Sequence, residues 1–181
     1  FPTDEWQHVA FTIDGGSISG NTATEHGGGF HIQDNARVNL TDVVIDNNTS
    51  FGEGAGFYNR FGVIDAHNLT VTNNAVRSSD RQGGGFWVAD HSVLNVTGDL
   101  VISGNTATHY GGGFRSARSS IVDASQADSV IITNNKAGDS DGITRNDRDG
   151  GGFFNGENAV VMLNNATIEN NGSLTTGRRG G

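Results

Sequence analysis

A Gly-Gly-Phe signature recurs along this chain at near-constant spacing, and that regularity leaves few folds open. Glycine-rich triplets end at Phe30, Phe57, Phe86, Phe114 and Phe153, and the sequence opens on Phe1. Successive signatures lie 27 to 29 residues apart, except for an interval of 39 between Phe114 and Phe153. Placing a second copy after the first joins Gly180-Gly181 to Phe1 and regenerates the signature in phase. The expectation is a unit that holds a whole number of repeats. Such a unit either stacks head to tail through Phe1, Gly180 and Gly181, or is one period of a tandem array.

A second signature sits between the first. It is an aliphatic residue followed two positions later by Gly-Asn or Asn-Asn, and it ends at Asn21, Asn48, Asn74, Asn105, Asn135 and Asn171. Between the two lies a weaker alternating patch, as in Val38-Asn39-Leu40 and Leu94-Asn95-Val96. Each repeat thus offers three short β-prone runs, punctuated by Gly, Asn and Asp. No stretch sustains a helical period, and β-branched residues dominate the apolar set. Repeats of this length indicate solenoids, propellers or arrays; three strands in fewer than 30 residues are too little for a propeller blade. The reading is all-β: a single parallel β-helix over residues 1–181, of about six turns with three short strands each. A longer excursion falls around 138–149. The recurrent Phe becomes an inward ladder (Phe1, Phe30, Phe57, Phe86, Phe114, Phe153) at the strand spacing of about 4.8 Å. The recurrent Asn becomes a ladder of amides (Asn21, Asn48, Asn74, Asn105, Asn135, Asn171), each able to bond its neighbours above and below.

The paired motifs resemble the repeats of polymorphic outer-membrane proteins, and the resemblance covers nearly the whole chain. It implies a right-handed parallel β-helix displayed at a cell surface and used for adhesion.

Composition narrows the function classes. The formal net charge of −9 argues against a nucleic-acid backbone as partner. The absence of cysteine removes disulfides and thiolate metal sites. No apolar run reaches the ~20 residues of a membrane-spanning helix, so membrane insertion is not expected.

The position after each Phe carries Pro2, His31, Tyr58, Trp87, Arg115 and Phe154. Period-two alternation turns this row away from the core, so an exposed contact stripe is expected, for protein or for sugar. Coverage by loops or by a neighbouring copy is the alternative. Sequons at Asn39, Asn47, Asn68, Asn95 and Asn165 are read as glycosylation sites; those at Asn48 and Asn171 fall on the amide ladder and are read as structural. The excursion holds Asp139, Asp141, Asp147 and Asp149, a candidate Ca²⁺ cluster in oxygen chemistry. Its spacing is not that of the helix–loop–helix calcium loop, and Arg145 and Arg148 offer those carboxylates partners instead, so no metal or other cofactor is assigned.

Catalysis needs converging groups. The candidates, Asp65 with His67 and Asp90 with His91, neither repeat nor sit beside an obvious basic partner. The functional expectation is a non-catalytic extracellular structural or adhesive rod. Its partners would be identical copies head to tail, with lateral protofilaments or glycans in addition. A carbohydrate-binding or polysaccharide-modifying β-helix, lyase- or epimerase-like, is the alternative. Ice binding through Thr22, Thr24, Thr106 and Thr108 is a third reading, weakened because only two repeats carry the motif.

Overall fold

The structure is a computed structural model and describes residues 10–138 and 150–173. The chain winds through the same three strands again and again. The first turn is β1 (Ala10–Ser19), β2 (Thr22–Ala23) and β3 (Phe30–Ile32). The second is β4 (Arg37–Asp46), β5 (Thr49–Ser50) and β6 (Phe57–Arg60); the third is β7 (Val63–Thr72), β8 (Ala75–Val76) and β9 (Phe86–Ala89). The fourth is β10 (Val93–Ser103), β11 (Thr106–Ala107) and β12 (Phe114–Ser116); the fifth is β13 (Ile121–Thr133), β14 (Lys136–Ala137) and β15 (Phe153–Asn155). β16 (Val160–Leu163), β17 (Ala166–Glu169) and β18 (Gly172–Ser173) follow. Five turns are complete among the described residues, slightly fewer than the six expected, because Phe1 and the other residues of a sixth signature lie outside them. There is no helix among the described residues.

Like strands stack on like. The long strands form one sheet in the order β1-β4-β7-β10-β13-β16, with β17 also on β13. The two-residue strands form a second, β18-β14-β11-β8-β5-β2, and the Phe-bearing strands a third, β15-β12-β9-β6-β3. The pairing is parallel, as in Phe57↔Phe86 and Phe86↔Phe114. The molecule is therefore a parallel β-solenoid.

Register explains the core. Stacking puts Val38, Ile64, Leu94 and Val122 in one inward row and Ile45, Val71, Ile102 and Ile132 in another, all fully buried. The Phe ladder closes the third side. Adjacent rings from Phe30 to Phe153 lie 4.6–5.2 Å apart and within 8° of parallel. That separation is the strand spacing itself, so the backbone ladder dictates the ring stack.

The glycines before Phe have a steric cause. Gly83 sits at φ +67°, in the left-handed region. A Cβ on Gly84 would lie 2.2 Å from the carbonyl oxygen of Gly112, one turn away. Here the chain passes so close to the next turn that only hydrogen fits. A second left-handed position precedes each ladder Asn, as at Asn73 (φ 53°) and Gly104 (φ 69°). Asn and Gly are the residues that tolerate it best, which accounts for the Gly-Asn and Asn-Asn pairs.

Candidate functional site

The Asn ladder is complete across the described turns. Each side-chain amide donates to the next Oδ1: Asn21 to Asn48 and Asn48 to Asn74 at 3.0 Å, then Asn74 to Asn105 and Asn105 to Asn135 at 3.0 Å, then Asn135 to Asn171 at 2.9 Å. The second amide hydrogen of Asn105 goes to the Val71 carbonyl at 2.9 Å, and its Oδ1 also accepts from the Asn74 backbone N–H at 3.0 Å. Asn48, Asn74, Asn105 and Asn135 are fully buried, and this pairing is what makes their burial affordable.

The row after Phe corrects the expectation of an exposed stripe. It does face away from the Phe ladder, but Tyr58, Trp87 and Arg115 are only 5%, 4% and 5% exposed. His31 remains exposed and Phe154 half-buried. The covering comes from the loops that lead into the glycine motif, which fold back over the row. The His26 ring lies 4.8 Å from Tyr58, and Arg115 sits 4.8 Å over the Trp87 ring and 5.8 Å from Tyr110. Alternation fixes which way a side chain points, not what lies above it.

Charge is handled inside this cover. The Arg115 guanidinium donates to Gln82 Oε1 and, at 2.6 Å, to Glu157 Oε1. Burial lowers its pKa, with Glu157 and Glu53 opposing. Glu53 is 6% exposed; its carboxylate accepts from the Gln82 backbone N–H at 2.6 Å and faces Arg81 at 3.5 Å. Burial nevertheless raises its pKa, the hydrogen bond from Gln82 and the arginines pulling the other way. His26 Nδ1 accepts from the Glu53 backbone N–H at 3.0 Å. Burial lowers the pKa of both His26 and His31. His26, Glu53, Gln82 and Tyr110 share one register position, just before the left-handed glycine of each turn, but the residue type there changes from turn to turn, so no repeated side-chain motif marks them.

The corner between the Phe-bearing and long-strand sheets carries alternating charge. Arg60 meets Asp90 at 2.8 Å, Arg118 lies 3.6 Å from Asp90, and Arg118 meets Glu157 at 3.3 Å. Asp90 is thus held between arginines, and His91 packs 6.5 Å from the Phe61 ring. Asp65 pairs with Arg37 at 2.9 Å, and His67 Nδ1 is 3.1 Å from Thr97 Oγ1.

Two adjacent outward rows of the long-strand sheet are polar, between outward rows that carry Val63, Val93 and Ile121 on one side and Val44, Val101 and Ile131 on the other. One outward row reads Thr12, Asn39, Asp65, Asn95 and Asp123; the next reads Asp14, Thr41, His67 and Thr97. Over β4, β7 and β10 these rows line a groove of about 270 Å³. Asn95 Nδ2 donates to Asp65 Oδ1 at 2.7 Å, while the contact from Asn39 Nδ2 to Thr12 Oγ1 is long, at 3.4 Å. A second hollow of about 440 Å³ lies over His26, Phe51 and Arg81.

Among the sequons, Asn47 and Asn165 are exposed, whereas Asn39, Asn68 and Asn95 are half-buried. The Asn68 amide donates to Asp42 at 2.7 Å, and its Oδ1 accepts from the Asp99 N–H at 2.9 Å. On the two-residue face the register places Thr22, Thr49, Ala75, Thr106 and Lys136 in one row, so Ala75 and Lys136 interrupt the threonines. The candidate Ca²⁺ cluster (Asp139, Asp141, Asp147, Asp149) and the joining residues Phe1, Gly180 and Gly181 lie outside the described residues. Among the described residues, no group of three or more His, Asp or Glu is placed to hold a metal ion, and no helix is long and apolar enough to cross a membrane. Comparison with known protein families, curated proteins and solved structures returns no match.

Proposed function

We propose that the chain is a structural and adhesive element, a β-solenoid displayed outside the cell whose ladders run on into further copies or further repeats. The likeness of its motifs to polymorphic outer-membrane repeats supports surface display, and exposed Asn47 and Asn165 are the sequons best placed for glycans. No catalytic role is assigned, because Asp65 and Asp90 are held by arginines.

The observation that carries this reading is the state of the ladder at its two described limits. Among the described residues, β1, β2 and β3 pair on one side only, as do β15, β16, β17 and β18. Inward-row residues Phe11 and Ile168 are 40% and 47% exposed there. Unpaired strand edges beside uncovered core are templates for another rung. A non-closing, head-to-tail interface of this type gives filaments.

The test is electron microscopy with sedimentation at increasing concentration. Filaments lengthening with concentration are expected for separate units, and a rod of many turns for a tandem array. A monodisperse monomer at high concentration, with no filaments in the native material, contradicts the reading.

A further inference from the structure

The row after Phe is buried at Tyr58, Trp87 and Arg115, so it presents no continuous adhesive contact. The hollow over His26, Phe51 and Arg81 is a poorer host, because His26 and Arg81 are already engaged by Glu53. The outer groove on β4, β7 and β10 differs in that its polar atoms point to solvent with capacity left over. Asn39 Oδ1, Thr41 Oγ1, His67 Nε2 and Asn95 Oδ1 have no hydrogen-bond partner among the described residues.

We infer that this groove binds an extended, neutral oligosaccharide, laid across successive turns along the solenoid axis. The inference deepens the adhesive reading by giving it a surface and a ligand class, and rests on that reading only in being non-catalytic. Three features support it. The rows present hydrogen-bonding groups at each turn, Asn39 with Thr41, Asp65 with His67 and Asn95 with Thr97, at a repeat of about 4.8 Å, so an extended polymer of hydroxyl-bearing rings meets a donor or acceptor at each step. Charge selects against acidic glycans: Asp14 and Asp123 lie on these rows at either end of the groove, and Arg37 is taken up by Asp65. No Phe, Tyr or Trp lines the groove, so recognition falls to hydrogen bonds shared over several turns. Each contact is then weak, and display of many grooves along one fibre supplies avidity.

The inference also bears on the sequons. Asn39 and Asn95 line the groove, so a glycan on either would fill it. Groove binding requires both to be unmodified in the native protein.

The experiment titrates the full chain with neutral hexasaccharides of glucose, mannose and xylose, and with hexagalacturonate as the acidic probe, using calorimetry. Thr41→Trp fills the groove from its rim; Asn39→Ala with Asn95→Ala removes its amides; Thr24→Trp, outside the groove, is the control. Circular dichroism establishes that each variant is folded. The expected result is millimolar or tighter binding of at least one neutral hexasaccharide, weakened tenfold or more by Thr41→Trp and by the double variant, and unchanged by Thr24→Trp. Four results overturn the inference: no neutral hexasaccharide binding, stronger binding of hexagalacturonate, binding indifferent to Thr41→Trp, or glycans on Asn39 or Asn95 by mass spectrometry. Filament formation is read separately, so loss of assembly with binding intact refutes the stacking and spares the groove.

Discussion

Two rows of side chains leave the Phe-bearing sheet in opposite directions, and they are built on different rules. The inward row is Phe at every described turn. The outward row is His31, Tyr58, Trp87, Arg115 and Phe154, different at every turn. The inward residue meets only copies of itself and fixed neighbours, so every turn poses the same packing problem and receives the same answer. The outward residue meets a loop of local composition, so each turn poses its own. Sameness in a solenoid marks positions that answer to the stacking repeat; variety marks positions that answer to whatever lies outside it.

The largest effect that sharpens this contrast is expected at the glycines of the repeating side. Gly84→Ala places a methyl 2.2 Å from the Gly112 carbonyl oxygen, a clash between backbones that no rotamer relieves. The variant should fail to reach a soluble folded state, read as lost expression and a lost β-sheet circular dichroism signal. Wild-type-like melting would break the account of the motif. Next comes the amide ladder. Asn105→Ala leaves the Asn74 backbone N–H and the Val71 carbonyl without their side-chain partners. Denaturant titration should show a loss of about 3 kcal/mol or more, since each buried group left unpaired costs about 1–3 kcal/mol.

The outward row should be gentler and more dependent on the residue chosen. Arg115→Met keeps the contact with Trp87 and removes a buried charge, so stability should change by about 1 kcal/mol or less. Arg115→Ala also loses packing and should cost about 2 kcal/mol. Equal and large losses from both would show that the ion contacts, not the packing, hold the cover in place.

The smallest effect is a pH dependence confined to the cover. His26 and His31 have lowered pKa values in the folded state. The unfolded chain therefore binds more protons as pH falls below the ordinary histidine value of about 6.5. Their contribution is present at pH 7 and is lost as pH drops through that value towards the folded one. Melting temperature should decline from pH 7 to pH 5, and His26→Gln should flatten part of the slope. Glu53 has the opposite sign. Its raised pKa means that the folded state loses relative stability as pH rises past the ordinary carboxylate range, so Glu53→Gln should gain more stability at pH 7 than at pH 4. A profile that neither His26→Gln nor Glu53→Gln changes would show that the cover does not shield these groups.

The contrast also explains what was legible in the sequence. Phe57, Phe86 and Phe114, the ladder from Asn21 to Asn171 and the three strands per turn could be read because each recurs at a fixed offset and pairs with itself. The direction of the His31-to-Phe154 row followed from alternation. Its burial did not, because that depends on Glu53, Gln82 and Tyr110, which share a register position but differ in chemistry at every turn. The groove was half visible. The sequons at Asn39 and Asn95 and the pair Asp65 with His67 stand out in the sequence, but only stacking shows that they share one face.

The most direct test of the self-matching turn is to remove one. Deleting residues 58–86 joins Phe57 to Trp87 and brings Asn48 and Asn105 to adjacent levels of the amide ladder. If turns answer mainly to their own repeat, the shortened chain folds cooperatively. It should retain its β-sheet signal, and its long dimension by small-angle scattering should fall by about 4.8 Å, one strand spacing. A shortened chain that loses cooperative unfolding or the β-sheet signal would contradict the account, because the fold would then depend on particular turns and not on their repetition.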